Sequence, residues 1–143
     1  MSVRSLVRSL ARWTPFVFAA PRRYVGRGSR WRGFDFAAWS DRYEWREDEW
    51  NGWLDVASRP DDTVEAEAGD CEDYALVAAS WALANGRTPV GLAFCFTGRL
   101  PIPRHAIAYD RERVYSSGEV REETVDDYVD RTEYRWVVRR RLA

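Results

Sequence analysis

Apolar residues recur at helical spacing in the first half of the chain and alternate with polar residues in much of the second half. The helical spacing predicts helices over residues 3–13, 36–57 and 70–85, the second with a break near residue 51. An apolar run predicts a strand over residues 90–96, and further strands are predicted over residues 104–109, 114–117 and 133–142, the last from alternation, with a helical turn near 124–129. Residues 20–33 and 58–69 lack both patterns, and we interpret them as an extended linker and a loop. The pattern predicts an α+β fold.

The helix that starts near residue 70 is the organising element of this pattern. Asp70 is suited to cap its N-terminus, and Gly86 is suited to end it in a left-handed conformation. Its inner face carries small residues that allow close packing, namely Ala75, Ala78, Ala79 and Ala82. We therefore expect a central helix. Cys71 falls in its first turn, where unpaired backbone N–H groups and the positive end of the helix dipole favour a thiolate.

Charge is distributed unevenly along the chain of 143 residues, a length that suits one domain. All 22 basic residues are arginines, and eight of them lie in residues 1–33, which contain no acidic residue. Residues 34–143 carry 14 arginines against 23 acidic residues. We therefore divide the chain into a basic N-terminal arm and linker, residues 1–33, and a domain, residues 34–143. A GC-rich genome or life at high salt would each explain the use of arginine alone, and the acidic body fits a halophile.

The basic arm has several candidate partners. Its apolar and arginine stripes at helical spacing form a basic amphipathic helix. Such a helix can pack on the acidic body of its own chain, bind a partner protein, or contact nucleic acid or an acidic membrane. The composition leaves these alternatives open, with a protein partner expected for the arm if it does not pack on its own body.

Cysteine content and hydropathy bear on location. Two cysteines argue against a disulfide framework, and Cys95, within an apolar strand, is interpreted as a core residue. No apolar run approaches the roughly 18 residues of a membrane span. Arginines interrupt the N-terminal apolar run, so we recognise no signal peptide. We expect a cytoplasmic protein, or one within a virion or another assembly.

One histidine is available to act on the cysteine. His105 begins the predicted strand 104–109, and a strand-borne imidazole facing a helix N-terminus can take the proton of a thiol and return it to a leaving group. A lone histidine is more often structural, so a catalytic role for His105 is supported mainly by the position of Cys71 at a helix start.

The residues around these two side chains resemble a known family. Residues 69–75 read Gly-Asp-Cys-Glu-Asp-Tyr-Ala, residues 105–108 read His-Ala-Ile-Ala, and residues 134–136 read Tyr-Arg-Trp. This set is similar to the bacterial transglutaminase-like cysteine proteinases of the papain-like cysteine hydrolase superfamily, over about residues 50–140. The resemblance implies a papain-like core, with the helix bearing Cys71 packed on a small antiparallel sheet.

The resemblance also implies roles for particular residues. Cys71 would be the nucleophile, His105 the general base and acid, and the backbone N–H of Cys71 part of the oxyanion site. Some members bind calcium through acidic residues beside the cysteine, here Asp70 and Glu72, although Asp70 has its capping role as an alternative; no other cofactor is implied.

The third catalytic position departs from the family pattern. The family places an Asp or Asn on the next strand, where this chain has Ser116 or Ser117. A serine hydroxyl can accept the imidazole Nδ1–H bond but cannot stabilise an imidazolium as a carboxylate does. Glu119, Asp110 or an acidic residue from the last segment could substitute.

Two functions follow from these observations. The first is a cysteine hydrolase, protease- or amidase-like, that forms an acyl-enzyme on Cys71 from a peptide or protein substrate. The second is a weak or inactive transglutaminase-like fold that serves as a structural or binding component of a larger assembly, such as a tailed virus particle.

Overall fold

The computed structural model describes residues 14–46 and 57–143. The described helices are α1 (Thr14–Ala19), α2 (Phe36–Arg42), α3 (Pro60–Ala66), α4 (Cys71–Ala84) and α5 (Val125–Arg131). The described strands are β1 (Glu44–Trp45), β2 (Ala68–Gly69), β3 (Gly91–Phe96), β4 (His105–Tyr109), β5 (Val114–Ser116), β6 (Glu119–Arg121) and β7 (Trp136–Arg141). Two 3-10 turns cover Pro21–Arg23 and Ser29–Trp31.

Among the described residues, β3 to β7 form a five-stranded antiparallel sheet in the order β6-β5-β4-β3-β7, and β1 and β2 form a parallel pair. The predicted α+β class is confirmed. The sheet is covered on both faces: α4 packs against β4, β5 and β3 on one side, and α5 covers the other. Both faces of the sheet are therefore apolar, as two-sided burial requires.

The central helix was predicted closely. It runs from Cys71 to Ala84, and Gly86 has the left-handed φ of +66° that ends it. The helix is buried around nearly its whole circumference, because the sheet lies on one side and α2, α3 and the turn at Ser29–Trp31 surround the other. Residues such as Tyr74, Val77 and Ala78 are fully buried.

Two predictions in the approach to this helix were wrong. The helix predicted over 36–57 ends at Arg42 and is followed by the strand β1, because Tyr43 turns to an extended conformation; residues 47–56 lie outside the described residues. The loop predicted over 58–69 contains α3 and β2. Pro60 is the first residue of α3, and the carboxylates of Asp61 and Asp62 in its first turn interact favourably with the positive end of the helix dipole.

Residues 14–33 pack on the body of the protein. Val17 and Trp31 belong to the core, and the extended linker predicted over 20–33 is instead folded into two 3-10 turns. The backbone N–H of Gly26 donates to Ser80 Oγ of α4 at 2.6 Å. The predicted helix at 3–13 lies outside the described residues. The prediction that the arm binds a partner protein therefore applies to residues 3–13.

Candidate active site

A capping box fixes the start of α4. Asp70 Oδ1 accepts from the backbone N–H of Asp73 at 3.0 Å, and Asp73 Oδ2 accepts from the backbone N–H of Asp70 at 3.2 Å. Tyr43 Oη donates to the carbonyl of Asp70 at 2.6 Å. A Cβ on residue 69 would lie 2.7 Å from Asp73 Oδ2, which explains the glycine there. Cys71, half-buried and outside any disulfide, is thereby held as the first residue of the helix.

His105 contacts one of the predicted third members. Its Nε2 is 2.7 Å from Ser116 Oγ, which in turn lies 3.2 Å from the Tyr128 hydroxyl. The imidazole stacks on the Tyr134 ring, with centroids 5.6 Å apart and planes at 4°. The nitrogen in contact is Nε2, so the predicted Nδ1 bond to serine was wrong. Among the described residues, Nδ1 has no hydrogen-bond partner and is the nitrogen left for a reacting group.

Burial controls the charge of this cluster. Removal from water lowers the pKa of His105 to about 4, so the imidazole is neutral at neutral pH. Burial likewise raises the pKa of Tyr128 to about 12, partly offset by its hydrogen bond with Ser116, and the phenol stays protonated. A neutral imidazole and two hydroxyls form a continuous hydrogen-bonded row whose proton direction depends on the histidine tautomer.

The helix and the histidine strand run in the same direction. Arg87, just after α4, donates to Asp110, just after β4, at 2.5 Å. The far ends of the two elements therefore meet, and since α4 packs along β4, their starts lie at the same end of the sheet. Cys71 is the first residue of α4, and His105 is the first residue of β4.

The sheet register assigns the two side chains to different faces of β4. His105 pairs with Cys95, whose side chain belongs to the cluster covered by α5, whereas Cys71 packs against the α4 side of the core. Tyr134 lies at the boundary. It stacks on His105, and its pKa is raised mainly by burial, with smaller contributions from Tyr128, Cys95, Glu133 and Cys71.

Of the other candidates for the third position, the two named acidic residues form contacts elsewhere. Asp110 binds Arg87 and Tyr115 at the far end of the sheet. Glu119 pairs with Arg121 and Arg131 at the surface. Ser117 occupies a left-handed turn position with φ of 42° between β5 and β6. Of these side chains and Ser116, only Ser116 hydrogen-bonds to His105.

The two acidic residues predicted to bind calcium have structural contacts. Asp70 forms the capping box, and Glu72 Oε1 accepts from Thr14 Oγ1 of α1 at 2.6 Å in the buried interior. Within residues 14–46 and 57–143, no group of three or more His, Cys, Asp or Glu side chains is arranged to hold a metal ion. Calcium binding stays a prediction from the resemblance.

Two contributors to the histidine environment were missed from sequence. Tyr128 on α5 and Tyr134 before β7 form an aromatic group with His105, and the centroids of the two tyrosine rings are 6.1 Å apart. No local pattern ties them to His105, which is 23 and 29 positions away in sequence. Only the packing of α5 over the sheet brings them together.

Comparison of the chain with protein-family models, curated proteins and solved structures finds no match among any of them. The resemblance to the transglutaminase-like proteinases therefore stays a prediction from residues 69–75, 105–108 and 134–136. In the described parts of the chain, no helix has the length and apolar character needed to cross a membrane.

Proposed function

We propose that this protein is a cysteine hydrolase of the protease or amidase type, built on a papain-like core, with Cys71 as nucleophile and His105 as general base. The hydrogen bond between His105 Nε2 and Ser116 Oγ carries this proposal. It orients the ring and leaves Nδ1 available at the end of the sheet where α4 begins. A peptide or protein substrate fits this chemistry.

The first half of the reaction forms the acyl-enzyme. Neutral His105 takes the proton of the Cys71 thiol on Nδ1, and the sulfur attacks the carbonyl carbon of the substrate amide. The carbonyl π electrons move to oxygen, and the backbone N–H of Cys71, at the helix start, donates to that oxyanion. The oxyanion then reforms the carbonyl, the C–N bond breaks, and the imidazolium gives its proton to the leaving amine.

The second half returns the enzyme to its starting state. A water molecule loses a proton to His105 as its oxygen attacks the thioester carbonyl carbon. Collapse of this intermediate breaks the C–S bond, and the sulfur leaves with the proton from the imidazolium. The products are a carboxylic acid and the restored thiol, and no redox partner is needed.

Ser116 is a positioning residue in this mechanism. Its hydroxyl forms one hydrogen bond with His105 Nε2 and a second with the Tyr128 hydroxyl. Without a carboxylate charge it stabilises the imidazolium weakly, so we expect slow turnover compared with an enzyme that has an acid in this place.

The proposal is tested by acylation with a chromogenic activated ester, with the modified residue located by mass spectrometry. We expect a burst of leaving group matched by one acyl group on Cys71, abolished in Cys71→Ala and slowed in His105→Asn. Cys95→Ala is the matched control and should keep the burst, since Cys95 is fully buried and unused. A burst that survives in Cys71→Ala contradicts the proposal.

A gain-of-function variant tests the role of the third position. Ser116→Asp adds a carboxylate next to Nε2, which should raise the pKa of His105 and speed acylation of Cys71 because the imidazolium gains a counter-charge. The control Ser117→Asp places the same charge in the adjacent turn residue, whose hydroxyl forms no hydrogen bond with any described residue. Equal effects of both variants would refute a specific role for residue 116.

A second candidate function is a binding or structural component of a larger assembly, such as a virus particle, that retains this fold without efficient catalysis. The observation that favours it is the hydroxyl in place of a carboxylate beside His105. This candidate predicts no acylation of Cys71 above the rate of an unfolded control, so the ester experiment separates the two.

A further inference from the structure

Two connected clefts line the surface where residues 19–32 meet the body, and we call them the basic clefts. The larger, about 640 Å³, lies between the segment 22–32 and α4. The smaller, about 380 Å³, lies between residues 19–23 and β7. Arg22 lines both, so they form one continuous surface. The arginines along it are Arg22, Arg23, Arg27, Arg32, Arg139, Arg140 and Arg141.

The basic clefts carry uncompensated positive charge. None of the described residues that line the two clefts is acidic. Two of the arginines are already engaged, Arg139 with Asp126 at 2.5 Å and Arg140 with the carbonyls of Phe18 and Ala19. The others form no ion pair with any residue in the described ranges and are solvent-exposed: Arg22, Arg23, Arg27, Arg32 and Arg141. Five such side chains around one concave surface repel one another, and an anionic ligand would relieve that repulsion.

The lining selects the kind of anion. Guanidinium groups match phosphate oxygens in a two-pronged geometry, and a chain of phosphates can neutralise several arginines at once. None of the exposed large apolar side chains in the described residues lines the basic clefts, so the lining lacks the anchors typical of protein interfaces and of membrane insertion. The described part of the lining also contains no aromatic ring on which bases would stack.

We infer that the basic clefts bind the phosphate backbone of a nucleic acid without preference for base sequence. The concave surface, whose charged residues in the described lining are all arginines, fits a chain of phosphates better than it fits a flat lipid headgroup layer. This binding is separate from the chemistry proposed for Cys71, because the clefts are lined by the opposite, C-terminal part of α4 and by the outer strand β7.

The inference is tested by fluorescence anisotropy of labelled duplex oligonucleotides of two unrelated sequences with the full-length protein over about 50–200 mM salt. The variant Arg22→Ala/Arg141→Ala removes two cleft charges. The matched control Arg99→Ala/Arg111→Ala removes two exposed arginines that also form no ion pair with described residues but lie outside the clefts. Thermal unfolding should be unchanged in both variants, since none of the four side chains holds another described element.

We expect equal affinity for both sequences, and a log–log salt slope smaller by about 1.8 in the cleft variant, because each phosphate that is no longer neutralised lowers the slope by about 0.9. The control should keep the wild-type slope. Equal losses of affinity in the two variants would overturn the inference, as would no binding of either oligonucleotide. Binding displaced by vesicles rich in phosphatidylserine but not by unlabelled DNA would assign the surface to membrane lipid instead. Acylation of Cys71 in the cleft variant should match wild type whichever result is found.

Discussion

His105 is the only histidine of the chain, and its imidazole is enclosed by Ser116 and two tyrosine rings. Burial without a charged partner keeps it neutral, which suits a base that accepts a thiol proton during the reaction. It does not suit a resting thiolate–imidazolium pair. We therefore expect the thiol proton of Cys71 to move to His105 as the sulfur attacks the substrate. Activity should be retained as pH falls, down to the low pKa of His105.

Proton NMR can follow this one ring directly. We expect its titration midpoint near pH 4, below the ordinary value of 6.5, because burial penalises the charged form. Between these two values the unfolded chain binds a proton that the folded chain does not, so stability falls as pH decreases from 6.5 to 4, by up to about 1.4 kcal/mol per pH unit.

The control for this titration is His105→Asn, which should flatten the dependence of urea unfolding on pH over the same interval. A midpoint near 6.5 in the native protein would show that the ring is hydrated, and it would contradict the buried cluster.

The start of α4 is the element on which the proposed chemistry depends. Asp70 and Asp73 satisfy each other's backbone N–H groups, and both are buried. Asp70→Ala should cost about 0.5–2 kcal/mol of unfolding free energy, because a side-chain cap is removed. Amide hydrogen exchange should accelerate in the first turn of α4.

Asp35→Ala provides the matched control, since Asp35 caps α2 by accepting from the N–H of Ala38. It should accelerate exchange in α2 and leave the first turn of α4 protected. Unchanged exchange at α4 in Asp70→Ala would mean that the capping box does not hold the helix start.

Sequence patterns located the long elements and missed most of the short ones. The α4 helix was predictable within a residue at each end, because Asp70 caps it and Gly86 stops it. The strand β3 was predictable as an apolar run, and β4 from its small and apolar residues. The short elements β1, β2 and β6 have two or three residues, too few to show a period, and they are fixed by pairing with distant segments.

At the scale of the whole molecule, a buried ionic contact ties the end of α4 to the sheet. Asp110 has a fully buried side chain that accepts from Arg87, from Tyr115 and from the backbone N–H groups of Glu112 and Arg113. Burial alone would raise the pKa of Asp110, but these hydrogen bonds outweigh it and lower the pKa below its ordinary value. This contact aligns α4 with β4, and so brings the starts of both to one end of the sheet.

Asp110→Asn should destabilise the protein by about 1.5–3 kcal/mol, since hydrogen bonds to a charged group are removed from a buried site. Because the folded pKa is lowered, the contribution of Asp110 is complete above the ordinary carboxyl pKa of 3.8 and is lost as pH falls through the lower folded value. Urea unfolding at neutral and acidic pH measures both effects. Asp130→Asn, an exposed control without a hydrogen bond to the described residues, should leave stability unchanged; equal destabilisation by the two variants would contradict the contact.

The candidate site was only partly predictable for the same long-range reason. Local sequence singles out Cys71 and His105 as candidates, because one starts a helix and the other a strand, but it offers Ser116 only as one of several candidates for the third position. The choice of Nε2 and the enclosure by Tyr128 and Tyr134 depend on how α5 and β7 pack over the sheet. No pattern within a single segment specifies that packing.

The central claim, that Cys71 is a nucleophile served by His105, is tested most directly by the rate of alkylation of each cysteine at neutral pH. We predict that iodoacetamide modifies Cys71 quickly and Cys95 very slowly, because burial raises the pKa of Cys95 to about 12. His105→Asn should slow the modification of Cys71 and leave Cys95 unchanged. Equal, slow modification of both cysteines, or a Cys71 rate independent of His105, would contradict the claim.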